Sequence, residues 1–275
     1  MKSKSILITG CSSGIGYHVA HDLKKVGWQV LATCRSDEDA DRLTKEGLQS
    51  FRLDYADPKS VAAGAQTALD MTGGKLFALF NNGAFAIPGA VEDLPREALR
   101  EIFEVNVFGQ FDLIRHVLPA MKSNGCGRII NNSSFLGFAA MPFRGSYVGT
   151  KFALEGLTHT MRQENRQTGI HISLIEPGPV PSRIRQNSVP HFKRWVDWTQ
   201  SAHRDTYETR VIPFLHGDES KVPMQRPPSH VTRKVLHALT SERPRARYFV
   251  TPVPWIIDTL RRVLPTRQMD YILSR

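Results

Sequence analysis

The sequence predicts an α/β protein built on a seven-stranded parallel sheet with helices on both faces. Short runs rich in Val, Ile, Leu and Phe recur seven times, at 5–10, 28–35, 48–54, 76–82, 127–134, 171–178 and 248–252, each the length of a strand. Amphipathic stretches of helical length separate them. The runs are continuously apolar rather than alternating, as expected of strands buried on both faces of a parallel sheet.

The first run, SILITG, leads into Thr9-Gly10-Cys11-Ser12-Ser13-Gly14-Ile15-Gly16 and then a helical pattern through Lys25. Strand, glycine turn and helix in this order make a dinucleotide site: glycines let the backbone approach a pyrophosphate, and free amides at the helix start hold its charge. Gly10, Ser12, Ser13, Gly14, Ile15 and Gly16 are therefore candidate cofactor residues. The second run ends in Thr33-Cys34-Arg35-Ser36, where an NAD site usually offers a carboxylate to the ribose 2′-hydroxyl. Arg35 suits a 2′-phosphate instead, with Ser36 and Ser12 as further donors. The alternative is an arginine merely solvated at a strand end. Asp54, after the third run, can receive an adenine amino group. Asn81-Asn82-Gly83-Ala84, after the fourth, can line the cofactor with small residues, although turn chemistry alone also favours such residues there.

Asn106 falls in a predicted helix within Asn106-Val107-Phe108-Gly109, a place that needs its amide buried and satisfied, with a water bridging to Lys151. The fifth run ends at Ser134, whose hydroxyl can polarise a substrate carbonyl or simply cap a turn. Phe138, Ala139, Ala140, Met141, Pro142 and Phe143 follow and are expected to line an apolar substrate pocket. Tyr147 and Lys151 stand four apart on one helix face. An ammonium next to a phenol favours phenolate and draws its pKa toward the working range. After the sixth run the alternation breaks: 187–228 carries Phe192, Trp195, Trp198, Tyr207 and Phe214 among polar residues. A long segment beyond a strand's carboxyl end reads as a substrate lid or as a helical excursion packed on the core. In the tail, 252–275, Trp255, Ile256, Leu260, Val263 and Leu264 fall near helical spacing opposite Asp258, Arg261 and Arg262, with Pro265 interrupting. We expect this face to pack over the substrate, with contact to an anionic bilayer surface as the alternative.

Composition removes several other classes. Of 275 residues 41% are apolar and 23% charged, the mixture of an ordinary globular chain. Three cysteines, Cys11, Cys34 and Cys126, form no CxxC pair, so neither a disulfide framework nor a cysteine zinc site is implied and a reducing compartment fits. His18 and His21 share a helix face without a carboxylate motif, so no metal site is expected. The net charge of +10 comes with no nucleic-acid motif, and an anionic cofactor accounts for it as well. The longest apolar stretch, 135–143, is about half the ~20 residues that span a bilayer. The opening MKSKSILITG has too short an apolar run for a signal peptide, and the chain is expected to be mature as it stands.

TGxxxGIG at 9–16, NVxG at 106–109, a strand ending in Ser134, YxxxK at 147–151 and Pro177-Gly178 together resemble the short-chain dehydrogenase/reductase family over nearly the whole chain. That resemblance implies one Rossmann-fold domain over 1–275 and a catalytic tetrad of Asn106, Ser134, Tyr147 and Lys151. It also implies cofactor contacts at Asn82, Tyr147, Lys151, Pro177 and Gly178. TGCSSGIG, ATCR and LIEPG are further similar to the 17β-hydroxysteroid dehydrogenase-like and retinol dehydrogenase-like branch, with its bacterial NADP-dependent aldehyde reductases; the ending LRRVLPTRQMDYIL is similar to the bacterial members. The expected activity is hydride transfer between NADP(H), preferred over NAD(H), and an apolar alcohol, aldehyde or ketone of long-chain, retinoid or steroid-like kind. The expected setting is a cytoplasmic homodimer or homotetramer that binds no nucleic acid. A catalytically silent NADP(H)-sensing regulator is the alternative, and an intact tetrad argues against it. Two departures stand out: the family's Asn-Asn-Ala-Gly reads Asn-Asn-Gly83-Ala84, and Gly149 stands inside the Tyr147–Lys151 helix.

Overall fold

All seven runs form strands, somewhat trimmed at their ends. The computed structural model describes residues 4–217 and 222–274, so 218–221 of the expected lid and the last residue of the tail lie outside the described residues. The strands are β1 (Ser5–Ile8), β2 (Gln29–Cys34), β3 (Gln49–Arg52), β4 (Ala78–Asn81), β5 (Gly127–Asn132), β6 (Ile170–Glu176) and β7 (Arg247–Phe249). They pair in the order β3-β2-β1-β4-β5-β6-β7, every pair parallel. Between them run α1 (Gly14–Lys25), α2 (Asp37–Lys45), α3 (Pro58–Met71), α4 (Arg96–Phe103), α5 (Gly109–Ser123) and α6 (Gly145–Glu164). After β6 come α7 (Ile184–Trp195), the short α8 (Arg204–Thr206) and α9 (Ile212–His216), then α10 (Ser229–Thr240), with α11 (Pro252–Val263) and α12 (Thr266–Ser274) after β7.

The strand pleat divides the core in two. Ile6 and Ile8 pack with Val19 and Leu23 of α1 and Val235 and Leu239 of α10. Leu7, between them, packs with Val61 and Ala65 of α3 and Leu113 and Val117 of α5. Alternate residues of one strand thus enter opposite layers, so both faces are covered. Helix starts carry local signals: Asp57 accepts from the Lys59 amide at 2.9 Å just before Pro58, and Ser36 caps α2 through the Asp39 amide. Strand order reverses between β1 and β4, which opens a crevice at the carboxyl ends of the central strands.

Two segments depart from expectation. The 187–228 insertion packs as an excursion on α4, where Phe192, Val196 and Tyr207 join Ile87, Ala98 and Ile102; Tyr207 is fully buried and its hydroxyl donates to Asp93 at 2.7 Å. Its inner side also borders the crevice. The tail does not close over the crevice. Ile257, Leu260, Leu264 and Met269 pack against Phe135, Phe138 and Ala139, bracing the loop after β5 from outside. The expected apolar face is also rotated: Trp255, Ile256 and Val263 are exposed, while Asp258 is buried. Arg261 and Arg262 clamp that carboxylate at 2.8 and 2.9 Å, so an acid can face inward where periodicity assigns it to solvent. Among the described residues no helix is long and apolar enough to cross a membrane.

Behind β5 and β6 lies a buried ionic cluster. Arg247 donates to Glu176 and, at 3.2 Å, to Glu155, which accepts from Ser133 at 2.7 Å. Burial and the neighbouring Glu155 push the Glu176 carboxyl from 4.5 up to about 9. The folded protein therefore holds more protons than the unfolded chain between those values, so this group's contribution to stability is present at low pH and is lost as pH rises through its folded pKa. Glu176→Gln keeps the shape and removes the titration. The decline in melting temperature between about pH 6 and 9 should flatten in this variant, and a slope equal to that of the unmodified protein would refute the assignment.

Candidate active site

The glycine turn after β1 forms one wall of the crevice. Gly10 and Gly14 have φ of 66° and 59°, the left-handed region that glycine enters freely. A Cβ on Gly10 would stand 2.7 Å from the Gly83 Cα, and one on Gly16 would overlap the Gly10 carbonyl. Gly16 thus stands behind the turn and lets α1 approach it, while Gly10, Ser12, Ser13, Gly14 and Ile15 line the crevice. The first turn of α1 has no acidic residue and Ser13 makes no capping bond with its side chain, so the opening amides suit a pyrophosphate. The cradle that a Cβ would fill and this uncapped helix start fit a dinucleotide.

Asparagines hold the turn to the neighbouring strands. Asn82 Nδ2 donates to the Thr9 and Gly10 carbonyls at 3.0 and 3.2 Å, and its Oδ1 accepts from Asn132 Nδ2 at 2.9 Å. Asn81 bonds Tyr55 at 2.6 Å and Asn131 at 3.0 Å. Asn82 thus lines the crevice and also buckles its wall. At the displaced family glycine a Cβ on Gly83 would press the Tyr55 ring at 3.1 Å, and Ala84 has no left-handed φ.

Ser134, Tyr147 and Lys151 meet on the opposite side. Ser134 caps the single turn Phe135–Gly137 by accepting from the Leu136 amide at 3.1 Å, so the capping and the functional reading both apply. Its hydroxyl faces the Tyr147 phenol closely enough to favour the phenolate. Lys151, four residues after Tyr147 on α6, donates to the Asn132 carbonyl at 2.8 Å and stands 5.4 Å from the Tyr147 ring centre. Burial pushes the Tyr147 phenol up to about 12, against the lowering effects of Ser134 and the Arg144 charge. Burial pushes the Lys151 ammonium down to about 7, against the attraction of Glu155. The same desolvation thereby favours the neutral form of both groups.

Asn106 sits in a π-helical turn, Glu104–Phe108, rather than in regular α-helix. Both of its amide hydrogens are engaged, with Phe85 O at 2.8 Å and Thr150 Oγ1 at 3.2 Å, and its oxygen accepts from the Phe85 amide at 3.1 Å. The side chain therefore ties the loop after β4 to α6, and the expected water bridge from its amide toward Lys151 is corrected to this tie. Thr150, where the family pattern has serine, passes the link on to the Tyr147 carbonyl at 2.8 Å. A Cβ on Gly149 would only touch the Phe103 ring at 3.7 Å, so packing does not require glycine there.

Pro177 and Gly178 close the crevice beyond β6; the Pro177 carbonyl accepts from the Phe135 amide at 3.0 Å. Arg35 and Asp54 lie outside this hollow, at the ends of β2 and β3. Arg35 is exposed and its carbonyl accepts from Arg52 at 3.1 Å, while Asp54 forms a turn with the Ala56 amide at 3.0 Å. Ser36 is engaged as the α2 cap. Of the six residues 138–143 only Met141 reaches the crevice: Phe138 and Ala139 pack with the tail and Phe143 with the insertion. Periodicity did not reveal Arg42, which donates to the Ser12 carbonyl at 2.8 Å. It also missed Ser182, Arg183 and Arg185, just ahead of the insertion, and Arg144 before α6; with Phe214 of the expected lid they line a cleft of about 470 Å³. Only their nearness to Pro177-Gly178 and Tyr147 in the sequence hinted at them.

This fold and crevice are those of a short-chain dehydrogenase/reductase, and the chain belongs to that family: the model described as short chain dehydrogenase matches residues 4–192. It is 39% identical over 271 residues to the uncharacterized oxidoreductase YbbO of Escherichia coli, covering 98% of this chain and 94% of that one. It is 32% identical to human 17-beta-hydroxysteroid dehydrogenase type 1, covering 90% and 77%. A solved short-chain dehydrogenase from Streptomyces avermitilis superposes with a TM-score of 0.77 at 26% identity over 94% of each chain. The protein is an oxidoreductase acting on CH–OH or C=O groups with a nicotinamide cofactor.

Replacing Asn106 by Ala orphans the buried amide and carbonyl of Phe85. Stability should fall by about 1–3 kcal/mol in chemical denaturation, and a variant as stable as the unmodified protein would show that this tie is not made.

Proposed function

We propose that the protein transfers hydride between NADP(H), in preference to NAD(H), and an apolar alcohol, aldehyde or ketone of long-chain aldehyde, retinoid or steroid-like size, with Asn106, Ser134, Tyr147 and Lys151 as its working residues. The observation that carries this reading is that Ser134, Tyr147 and Lys151 line one cleft together with the glycine turn. When bound, the nicotinamide ring supplies or accepts the hydride. Tyr147, kept neutral by burial, holds the proton that a reduced carbonyl oxygen needs and takes it back in the oxidation. Ser134, its oxygen fixed by the Leu136 amide, directs its hydrogen to the same oxygen atom. Lys151, held on the Asn132 carbonyl, orients the nicotinamide ribose and adds positive charge below its lowered pKa. Asn106 keeps the loop after β4 against α6.

Arg35 at the end of β2, with Arg52 bonded to its carbonyl, supports a 2′-phosphate. Asp54 is assigned to the adenine and Pro177 and Gly178 to the nicotinamide end. Continuous packing from β3 to β7 supports one domain over 1–275, with the 187–228 insertion as the substrate wall. The free thiols Cys11, Cys34 and Cys126 support a cytoplasmic setting. Exposed Phe108, Phe152 and Leu157 near and on α5 and α6 support contact between copies in a homodimer or homotetramer.

Tyr147→Phe keeps the ring and removes the proton. Turnover of a medium-chain aldehyde should drop at least ~10²-fold while NADPH binding persists; retention of a tenth of the activity would reject Tyr147 as the donor. NADPH binding without turnover of any aldehyde or ketone by the unmodified protein would favour the silent cofactor sensor. Arg35→Asp should weaken NADPH binding more than NADH binding, because a carboxylate repels a 2′-phosphate and accepts from a 2′-hydroxyl. Equal Michaelis constants for the two cofactors in the unmodified enzyme would exclude this role for Arg35.

A further inference from the structure

Lys151 is buried, and its ammonium donates to the Asn132 carbonyl at 2.8 Å. A neutral oxygen satisfies a hydrogen but does not balance a charge, and a buried amine without a counter-charge tends to give up its proton. Glu155 stands one helical turn after Lys151 on the same face of α6 and is buried as well. Both of its oxygens are taken: Oε1 accepts from Ser133 Oγ at 2.7 Å and Oε2 from Arg247 at 3.2 Å. A Cβ on Gly137 would stand 2.5 Å from Ser133 Oγ and 2.8 Å from Glu155 Cγ, so the turn Phe135–Gly137, which Ser134 caps, closes directly over this bond. One carboxylate thereby joins the strand end that leads into Ser134 to the helix that carries Tyr147 and Lys151.

The charged groups around Glu155 come from three elements. On α6 they are Lys151 and His159, whose Nε2 lies 3.7 Å from the carboxylate; burial and then the Arg162 charge lower the His159 pKa, so that ring is neutral at neutral pH. From β6 comes Glu176, which burial and the Glu155 charge keep protonated up to about 9. From β7 comes Arg247, on which Asp258 of α11 also acts. Beyond Lys151 stands Tyr147, whose phenol feels the Arg144 charge. At neutral pH, with Glu176 and His159 uncharged, Glu155 is the anion that acts on Lys151, and its attraction opposes the burial that draws the ammonium down to about 7. Because Ser133 and Arg247 hold both carboxylate oxygens, this attraction works through space and leaves the hydrogens of Lys151 unclaimed.

We propose that Glu155 is a positioning residue for the reaction: fastened by Ser133 and Arg247 one turn behind Lys151, it supplies the counter-charge that lets the buried amine stay an ammonium while remaining free to meet the nicotinamide ribose. This role rests on the oxidoreductase reading and adds a residue to its machinery. A direct ion pair would spend the ammonium hydrogens on the carboxylate, and no carboxylate at all would leave the amine neutral through burial. The observed arrangement avoids both outcomes, and the ionic cluster behind β5 and β6 acts on the chemistry without lining the cleft.

The charge on Lys151 can be read directly, without turnover, by NMR of isotopically labelled lysine side chains across a pH titration, with the resonance assigned through Lys151→Arg. In Glu155→Gln, which keeps the shape and the Ser133 contact, the Lys151 midpoint should fall by about 1 pH unit. The alkaline limb of kcat/KM for decanal at saturating NADPH should move down with it, and Glu155→Asp should recover part of both. Ser133→Ala keeps the carboxylate, so its Lys151 midpoint should stay at or above that of the unmodified protein. If the Gln variant does not fold, the Glu155→Gln, Arg247→Gln double variant, which removes the buried cation together with its anion, carries the same expectation. A Lys151 midpoint that does not move in the folded variant overturns the proposal, whatever the change in rate, and leaves the oxidoreductase reading intact. The expected fall in midpoint, with no aldehyde or ketone turned over by the unmodified protein, would sustain the link from Glu155 to Lys151 and sink the apolar-carbonyl reading.

Discussion

The site depends on a chain of buried hydrogen bonds across the carboxyl edge of the sheet, from the Gly10 carbonyl through Asn82 and Asn132 to the Lys151 ammonium. The central strands are apolar along their length and buried on both sides, so the polar groups exposed where they end must find partners within the protein; each left unpaired costs about 1–3 kcal/mol. Asparagine meets the need because one short side chain both donates and accepts. As a result the glycine turn on β1 and the amine on α6 are parts of one connected network, and displacing either leaves a buried polar group alone. A second line, Tyr55–Asn81–Asn131–Thr158, runs beneath the first.

Burial acts on the ionisable groups around this network in a consistent sense. It raises the Tyr147 phenol and the Glu176 carboxyl and lowers the Lys151 and Arg144 cations, in each case favouring the neutral form. What separates the groups is company. Glu155 and Glu176 lie behind the catalytic strand ends and share Arg247, so the carboxylates are turned away from the cleft. The described charged side chains that line the cleft are cations, a field suited to an anionic ligand.

Much of this was legible in the chain itself. Seven apolar runs, the glycine turn, Ser134 at a strand end and the four-residue step from Tyr147 to Lys151 are local patterns, and local patterns follow from strand and helix periods. Less legible were roles that depend on what lies opposite. Asn106 could be placed in a helix, yet its amide holds Phe85 and Thr150. Phe138 and Phe143 are both apolar and both precede Tyr147, but one faces the tail and the other the insertion, so neither reaches the cleft. The tail periodicity indicated an amphipathic helix and mistook its inner face, because Asp258 is neutralised by Arg261 and Arg262 on its own helix and can turn inward.

The sequence by itself therefore determined the sheet, its parallel sense, the glycine turn after β1 and the identity of the catalytic candidates. Each of these is written in residues that are neighbours along a strand, a turn or a helix face. Only the tertiary structure decided what meets at the end of the cleft away from the glycine turn. Arg144 before α6, Arg185 on α7 and Phe214 on α9 come together because α7 and α9 fold back over α4 and the left-handed backbone at Phe143 turns its successor inward. No period in the sequence records that meeting, since it arises from packing between segments tens of residues apart.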